Sequence, residues 1–389
     1  MRPILTLNAG SSSLKAAVYD GVAAALVRAE VAALGAGAMM TITADGKTQR
    51  HEIASADHAH AFAALRKALG PWLGQGGPIA VGHRIVHGGA EIDGPRVLTP
   101  SCLAMLEELV ALAPLHQPHN LALVRAASQA FPQAVQIGAF DTAFHRGHDW
   151  LHDTYALPRR YFDQGIRRYG FHGLSYAYIA GRVAADYPAL ADGRLIVAHL
   201  GNGASLCAIK GGRSVASSMG FSALDGLPMG TRVGQIDPGV LLYLMGEGMD
   251  QAALTRLLYS ESGLKGLSGI SHDMRVLLAA KSPQADAAIA YFCAHLAQGI
   301  GGLSAVLGGV DAVIFTGGIG QNAAPIRAMA LEKLAFLGLV VDEGANAAHA
   351  PRIDKGKVAV LVMATDEEQM IAQAVQQALA ALPDEKGTM

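Results

Sequence analysis

Two arginines occupy settings that demand an explanation. Arg84 lies inside the apolar run "GHRIVHGG" (residues 82–89), and Arg232 lies in "DGLPMGTRVGQIDPG" (residues 225–239), a loop rich in Gly and Pro. A guanidinium sunk among apolar residues calls for an anionic partner. An internal carboxylate and a bound anion both satisfy that demand, and the arginines alone leave the two open. Asp141 closes the apolar stretch "AVQIGAFDTAF", where a carboxylate linked to a metal competes with a simple turn cap. His172 stands between glycines in "YGFHGLSY"; a core histidine would normally lie inside an element, so the loop setting favours function.

Small-residue turns supply the other half of an anion site, because missing side chains let backbone N–H groups converge on one point. "ILTLNAGSSSLKAAVY" (residues 4–19) and "LIVAHLGNGASLCAI" (residues 195–209) each read as a strand, such a turn and a second strand, which is a β-hairpin. "DAVIFTGGIGQN" (residues 311–322) reads as a strand and a glycine turn leading into the helix-like "APIRAMALEKLAFLG", whose N-terminus could face a phosphate or an adenosine. Neither the dinucleotide-binding GxGxxG nor the P-loop GxxxxGK[ST] occurs. Two similar hairpins in order along the chain predict a duplicated domain with a cleft between the copies.

The elements that must hold these groups alternate. "AHAFAALRKALGPWL" and "CLAMLEELVALA" have helical spacing, "IAVGHRIVHGG" and "AVQIGAFDTAF" read as strands, and "SYAYIAGRVAADY" reads as a helix. "ADAAIAYFCAHLAQGIGGLSAVLG" is apolar nearly all round and is expected to be a buried helix. "EEQMIAQAVQQALAAL" is expected to be a last helix returning to the first domain. The class is mixed α/β with helices on both faces of each sheet.

With 389 residues, 51% of them hydrophobic, the chain can build two cores. Its formal net charge of −2 excludes bulk electrostatic attraction to nucleic acid or to an anionic membrane. No signal-peptide pattern and no spanning apolar stretch is read, so no membrane association is expected. Cys102, Cys207 and Cys293 are far apart and form no CxxC pair, which suits reduced thiols and a cytoplasmic location. His145, His148 and His152 cluster in "HRGHDWLH" without the cysteine or carboxylates that would complete a zinc set.

Nine segments, "NAGSSSLK", "HRIVHGG", "FDTAFH", "YGFHG", "AHLGNGAS", "SMGF", "GLPMGTR", "FTGGIG" and "TDEE", closely resemble the acetate kinase (acetokinase) family, in its order and over essentially the whole chain. That family belongs with sugar kinases, heat-shock ATPases and actin. The resemblance implies two duplicated actin-like (ribonuclease H-like) α/β domains with a nucleotide cleft between them. They would comprise residues 1–142, joined by a C-terminal helix 368–389, and residues 143–367.

It also implies reversible transfer of the γ-phosphoryl group of ATP to acetate, giving acetyl phosphate and ADP, with Mg²⁺ or Mn²⁺ as cofactor and a homodimer as the assembly. By resemblance Arg84 holds the carboxylate, in a pocket walled by Val86, Leu115, Phe171 and Ala223. Arg232 and His172 stabilise the transition state. His199, Leu200, Gly201, Asn202 and Gly203 cradle phosphates, with Lys15 on the nucleotide side. Asp273, Met274 and Arg275, and Gly318, Ile319, Gly320, Gln321 and Asn322, meet the adenosine. Asn8 and Glu367 position the metal. Asp141 serves as proton donor or acceptor in such families. The chemistry prefers it as an orienter of the metal or its waters, since a carboxylate of pKa about 4 has no proton to surrender at pH 7.

The chain departs from the family pattern at Gln117 (usually Asn), Leu174 and Tyr176 (usually Thr and His), Gln235 (usually Asp) and Gln321 (usually Glu). Ala223 replaces a usual proline in the acyl pocket, which would leave room for propionate. A propionate (short-chain acyl) kinase is therefore the alternative. An actin-like or chaperone ATPase switch is a further one, against which a carboxylate-binding arginine pair argues.

Overall fold

The computed structural model describes residues 2–10, 13–21, 23–35, 37–53 and 57–382. Ser11 and Ser12 of the first hairpin turn, and residues 383–389 of the expected last helix, lie outside the described residues. The chain divides into two compact units, residues 1–146 with 366–389, and residues 147–365.

Among the described residues, the first unit contains β1 (Ile4–Ala9), β2 (Ser13–Tyr19), β3 (Ala25–Ala32), β4 (Met39–Ala44), β5 (Lys47–Glu52), β6 (Ala80–Ile85), β7 (Arg96–Val97) and β8 (Val135–Phe140). They form one sheet in the order β5-β4-β3-β2-β1-β6-β8-β7. All six residues of β1 are buried, the polar Thr6 and Asn8 among them, as befits a central strand covered on both faces. At the other extreme, β5 is "KTQRHE" and wholly exposed, a charged edge that discourages pairing with another chain. Helix His58–Leu73, capped by Asp57, covers one face through Phe62, Leu65 and Leu69, which join Leu5, Leu7, Leu14 and Val31. Helix Glu367–Ala380 covers the other, placing Ala372 and Val375 against Ile4, Ala17, Tyr19, Ala80 and Ile137.

The second unit contains β9 (Arg194–Leu200), β10 (Ala204–Lys210), β11 (Arg213–Ser217), β12 (Ala312–Thr316) and β13 (Ala359–Val362), ordered β11-β10-β9-β12-β13. The β3-β2-β1-β6-β8 part of the first sheet has the same order and the same senses: antiparallel pairs at β3–β2–β1 and parallel pairs at β1–β6–β8, matched by β11–β10–β9 and β9–β12–β13. The two hairpins noted in the sequence are thus equivalent pieces of two like-ordered sheets. In each, the carboxyl ends of the central parallel strands lie at one edge, where α/β proteins place their ligands.

Two expectations need correction. Helix Pro283–Leu307 is not buried all round: Leu296, Ile300 and Phe292 are buried, whereas Tyr291 and Val306 are more than a third exposed. By length and composition it is long and apolar enough to cross a membrane, contrary to the sequence reading; it packs on β10 and β9, the place of a core helix. The "GGIGQN" segment is not a turn. Gly317–Asn322 is itself helical and precedes helix Ala324–Glu332. The start is possible because Gly317 has φ +78° and its backbone passes close to β9; a Cβ there would lie 2.6 Å from the Leu200 carbonyl oxygen.

Candidate active site

In the first unit the carboxyl ends of β1, β6 and β8 bring Asn8, Arg84 and Asp141 together. Arg84 donates from Nη2 to Asp141 Oδ2 at 2.6 Å, from Nε to both Asp141 oxygens at 3.2 Å, and from Nη1 to Asn8 Oδ1 at 3.2 Å. Glu367 Oε2 lies 3.7 Å from Nη1. The protein itself therefore supplies an anion to Arg84, and the turn-cap reading of Asp141 gives way to a forked ion pair. Burial works against the charge on Arg84, but Asp141 and Glu367 more than offset it and lift its pKa above the ordinary arginine value.

Asn8 links this pair to the helix Glu367–Ala380. Its Nδ2 donates to Glu367 Oε2 at 2.9 Å and to Glu368 Oε1 at 3.0 Å. Burial raises the Glu368 pKa, Lys15 opposes that shift, and the neighbouring Glu367 adds to it. The Asn8 amide nitrogen faces the two carboxylates while its oxygen accepts from Arg84, so the oxygens gathered here that suit a hard divalent cation are those of Glu367 and Glu368. Asp366 caps the helix and forms an ion pair with Arg28. Lys15, opposite Asn8 in the β1–β2 register, lines a small polar cleft with Arg28, Glu30 and Glu368.

In the second unit His172 is the residue before helix Gly173–Asp186 and adopts φ 58°, ψ 25°. This left-handed conformation is costly for a residue with a Cβ and is typical of functional positions. Its ring stacks on His199 at 4.4 Å between centroids, and His199 Nδ1 lies 2.8 Å from Ser175 Oγ. His172 Nδ1 lies 2.7 Å from Ser205 Oγ, leaving Nε2 on the side of Gly203. A Cβ on Gly203 would stand 3.4 Å from His172 Nε2 and 3.7 Å from Arg232 Nη1, so the imidazole and the guanidinium meet at a bare backbone. Arg232 is steadied by the Ala223 carbonyl, to which Nη1 donates at 3.1 Å. The Gly230 N–H, donating to the Asn202 carbonyl at 3.1 Å, ties the arginine loop to the turn after β9.

The remaining predicted residues divide between the units. Val86 follows β6 and is buried, and Leu115 is 38% exposed just before helix Gln117–Ala130. Phe171 is buried beside His172, and Ala223 is half-buried. Leu200 is buried at the end of β9, and Gly201 donates to the Gly203 carbonyl at 2.9 Å. Asp273 caps helix Met274–Ala280, grips the mostly exposed Arg275 at 2.6 Å and leaves Met274 buried. Gly318 accepts from Asn322 Nδ2 at 2.9 Å across the short Gly317–Asn322 helix, which also carries Ile319, Gly320 and Gln321.

Sequence reasoning passed over Ser205, Glu368 and Arg327. Ser205 and Glu368 lie inside the quoted segments "AHLGNGAS" and "TDEE", so the signal was present. Arg327 is fully buried and donates to the carbonyls of Gly320 and Gln321 and to Asn346 Oδ1. Nothing in "APIRAM" announces that it anchors the preceding helix.

The arginine–carboxylate cluster of the first unit and the histidine–arginine pair over a glycine turn in the second are each the kind of group that phosphotransferases use. The Acetokinase family model matches residues 3–373. The chain is 48% identical to the acetate kinase of Methylocella silvestris, with 96% of each chain covered, and 47% identical to that of Nitrobacter hamburgensis, covering 96% of this chain and 95% of the other. Among solved structures, a propionate kinase from Francisella tularensis superposes with a TM-score of 0.89 at 34% identity (96% and 99% covered). The acetate kinase of Porphyromonas gingivalis superposes with 0.85 at 35% (97% and 100% covered). The chain belongs to the acetokinase family.

Proposed function

We propose that the protein reversibly transfers the γ-phosphoryl group of ATP to acetate, giving acetyl phosphate and ADP. The observation that carries this reading is the meeting of His172 Nε2 and Arg232 Nη1 at Gly203. A phosphoryl group in flight spreads negative charge over three oxygens, and fixed N–H donors there stabilise it at no reorganisation cost. An acetate oxygen attacks the γ-phosphorus while the bond to the ADP oxygen breaks. Because acetate is ionised at pH 7, no general base is needed. Arg84 receives the carboxylate, and Asp141 holds the guanidinium in place for it.

His199 and the Leu200–Gly203 turn hold the phosphates, with Lys15 on the nucleotide side. Asp273–Arg275 and Gly318–Asn322 hold the adenosine. Asn8 and Glu367 would hold Mg²⁺ or Mn²⁺, a fit supported by the paired Glu367 and Glu368 carboxylates; the Asn8 oxygen would exchange its Arg84 contact for the ion. The metal would neutralise charge on the phosphate oxygens.

Propionate is a second substrate of this reading, favoured by the methyl of Ala223 in the acyl wall. The assembly is a homodimer. Helix Pro238–Gly246 supports it, since Leu242, Tyr243 and Met245 are 70%, 66% and 55% exposed, an apolar surface that a second copy would cover. Reduced cysteines fit a cytoplasmic setting.

A hydroxamate assay with ATP, Mg²⁺ and formate, acetate, propionate or butyrate tests the reaction, with a metal-chelated control. Acyl hydroxamate from acetate and propionate, abolished by chelation, is the expected result. ATP hydrolysis that is indifferent to every carboxylate would refute it.

A further inference from the structure

Tyr176 lies one helical turn beyond His172, and its N–H donates to the His172 carbonyl at 3.1 Å. Its side chain is fully buried, and its hydroxyl lies 2.5 Å from Ser205 Oγ. Ser205, also fully buried on β10, lies in turn 2.7 Å from His172 Nδ1. The three polar groups form a short chain of hydrogen bonds that ends on the imidazole whose other nitrogen faces Gly203 and Arg232.

The proton order along such a chain follows acidity. A phenol, of ordinary pKa about 10, is a far better donor than an alkyl hydroxyl, and a neutral imidazole nitrogen is the strongest acceptor of the three. Burial keeps the Tyr176 phenol protonated, pushing its pKa well above the ordinary value. The phenol therefore donates to Ser205 Oγ, and the Ser205 hydroxyl donates to His172 Nδ1. An accepting Nδ1 in a neutral ring requires the proton on Nε2. With the phenol removed, the serine hydroxyl is free to turn and accept from Nδ1–H. The ring would then present a lone pair toward the anion site.

Resting on the phosphoryl-transfer reading above, we propose that Tyr176 is a positioning residue: acting through Ser205, it fixes His172 as the Nε2–H tautomer, so that the ring donates to the transferring phosphoryl group.

The test pairs kinetics with long-range ¹H–¹⁵N spectra of the histidine rings, recorded on the full chain without substrate, using Tyr176→Phe and Ser205→Ala. In the wild type His172 should show an unprotonated Nδ1. In Tyr176→Phe a second tautomer should appear, and kcat should fall about five- to tenfold, the net worth of one hydrogen bond. KM for acetate and ATP should stay within about twofold, a split expected for an interaction made in the transition state. Ser205→Ala, which shortens a side chain without touching the helix, should reproduce the pattern if the phenylalanine variant folds poorly. A wild-type ring protonated at Nδ1, or a tautomer unchanged in both variants, would overturn the relay. A changed tautomer with undiminished kcat would overturn its part in transfer. A wild type inactive with every carboxylate would instead sink the reaction reading, because the spectra report the relay without turnover.

Discussion

Gly82 offers a direct way to disturb the first unit's site from beneath. It lies in the middle of β6, under helix Glu367–Ala380, and a Cβ there would stand 2.6 Å from Ile371 Cγ2 and 2.6 Å from Val375 Cγ2. Carbon atoms pack at about 3.5–4.0 Å, so Gly82→Ala forces the helix outward by about 1 Å. Neither neighbour can swing clear, because β-branched side chains in a helix have one strongly preferred rotamer. Overpacking of this kind costs about 1–3 kcal/mol, which for a unit of this size corresponds to a loss of very roughly 5 °C in melting temperature. The same helix begins with Glu367 and Glu368, which Asn8 grips, so the Mg²⁺ concentration for half-maximal activity should rise several-fold. Calorimetry and a Mg²⁺ titration of the hydroxamate assay read both effects. Adding Val375→Ala should recover stability relative to the sum of the single changes, by about 1 kcal/mol. A Gly82→Ala protein with wild-type melting, and no coupling to Val375→Ala, would refute the reasoning.

The buried His83 ring, bonded at 2.8 Å to Gln136 Oε1, is pushed by burial down to about 4. An unfolded histidine binds a proton below about pH 6.5, so the folded state loses stability as pH falls from there toward 4, by about 2 kcal/mol at pH 5. Urea unfolding at pH 7 and pH 5 should show this loss, and an equal slope in His83→Asn would contradict it. Arg84→Ala should mainly raise KM for the carboxylate, whereas Arg232→Ala should lower kcat about 10²-fold or more. Small equal effects in both variants would remove that division of labour. Ala223→Pro, which keeps the carbonyl that accepts from Arg232, should lower the propionate-to-acetate ratio in kcat/KM by up to about tenfold; an unchanged ratio in a folded variant means this position does not set chain length. Sedimentation should find a dimer that Leu242→Glu converts to a monomer, and a wild-type monomer would end that proposal.

Much of the architecture was legible because it follows from local pattern. The hairpins 4–19 and 195–209 announce themselves as apolar strands around small-residue turns, and the last helix by its apolar spacing. The likeness of the two hairpins signals the duplication, while the full strand order that makes the two sheets equivalent is carried by no local pattern. The glycines of Gly317–Asn322 signal a turn on propensity alone, while Arg327, bonded to the Gly320 and Gln321 carbonyls, anchors the segment as a helix. The composition of helix Pro283–Leu307 suggests burial all round, but composition does not say which of its apolar faces finds a partner. At the site, residue types pointed to Arg84, Asp141 and His172. The forked pairing of the first two and the Ser205 contact of the third depend on register between distant strands, which is invisible in one dimension.

The first unit is assembled from both ends of the chain, with 219 residues of the second between them (365 − 147 + 1). On the ribosome this imposes an order. At about 5–20 residues per second, the opening strands wait roughly 10–45 s before residues 366–382 emerge to cover Ile4, Tyr19, Ala80 and Ile137. The second unit can meanwhile complete its own sheet without them. Until residues 366–382 emerge, one face of the first sheet lacks its helix, and Asn8 lacks Glu367 and Glu368. A chain truncated before Asp366 would be deprived at once of one face of a core and of the carboxylates that Asn8 grips, so incomplete products should reveal themselves by exposed apolar surface rather than by faulty catalysis.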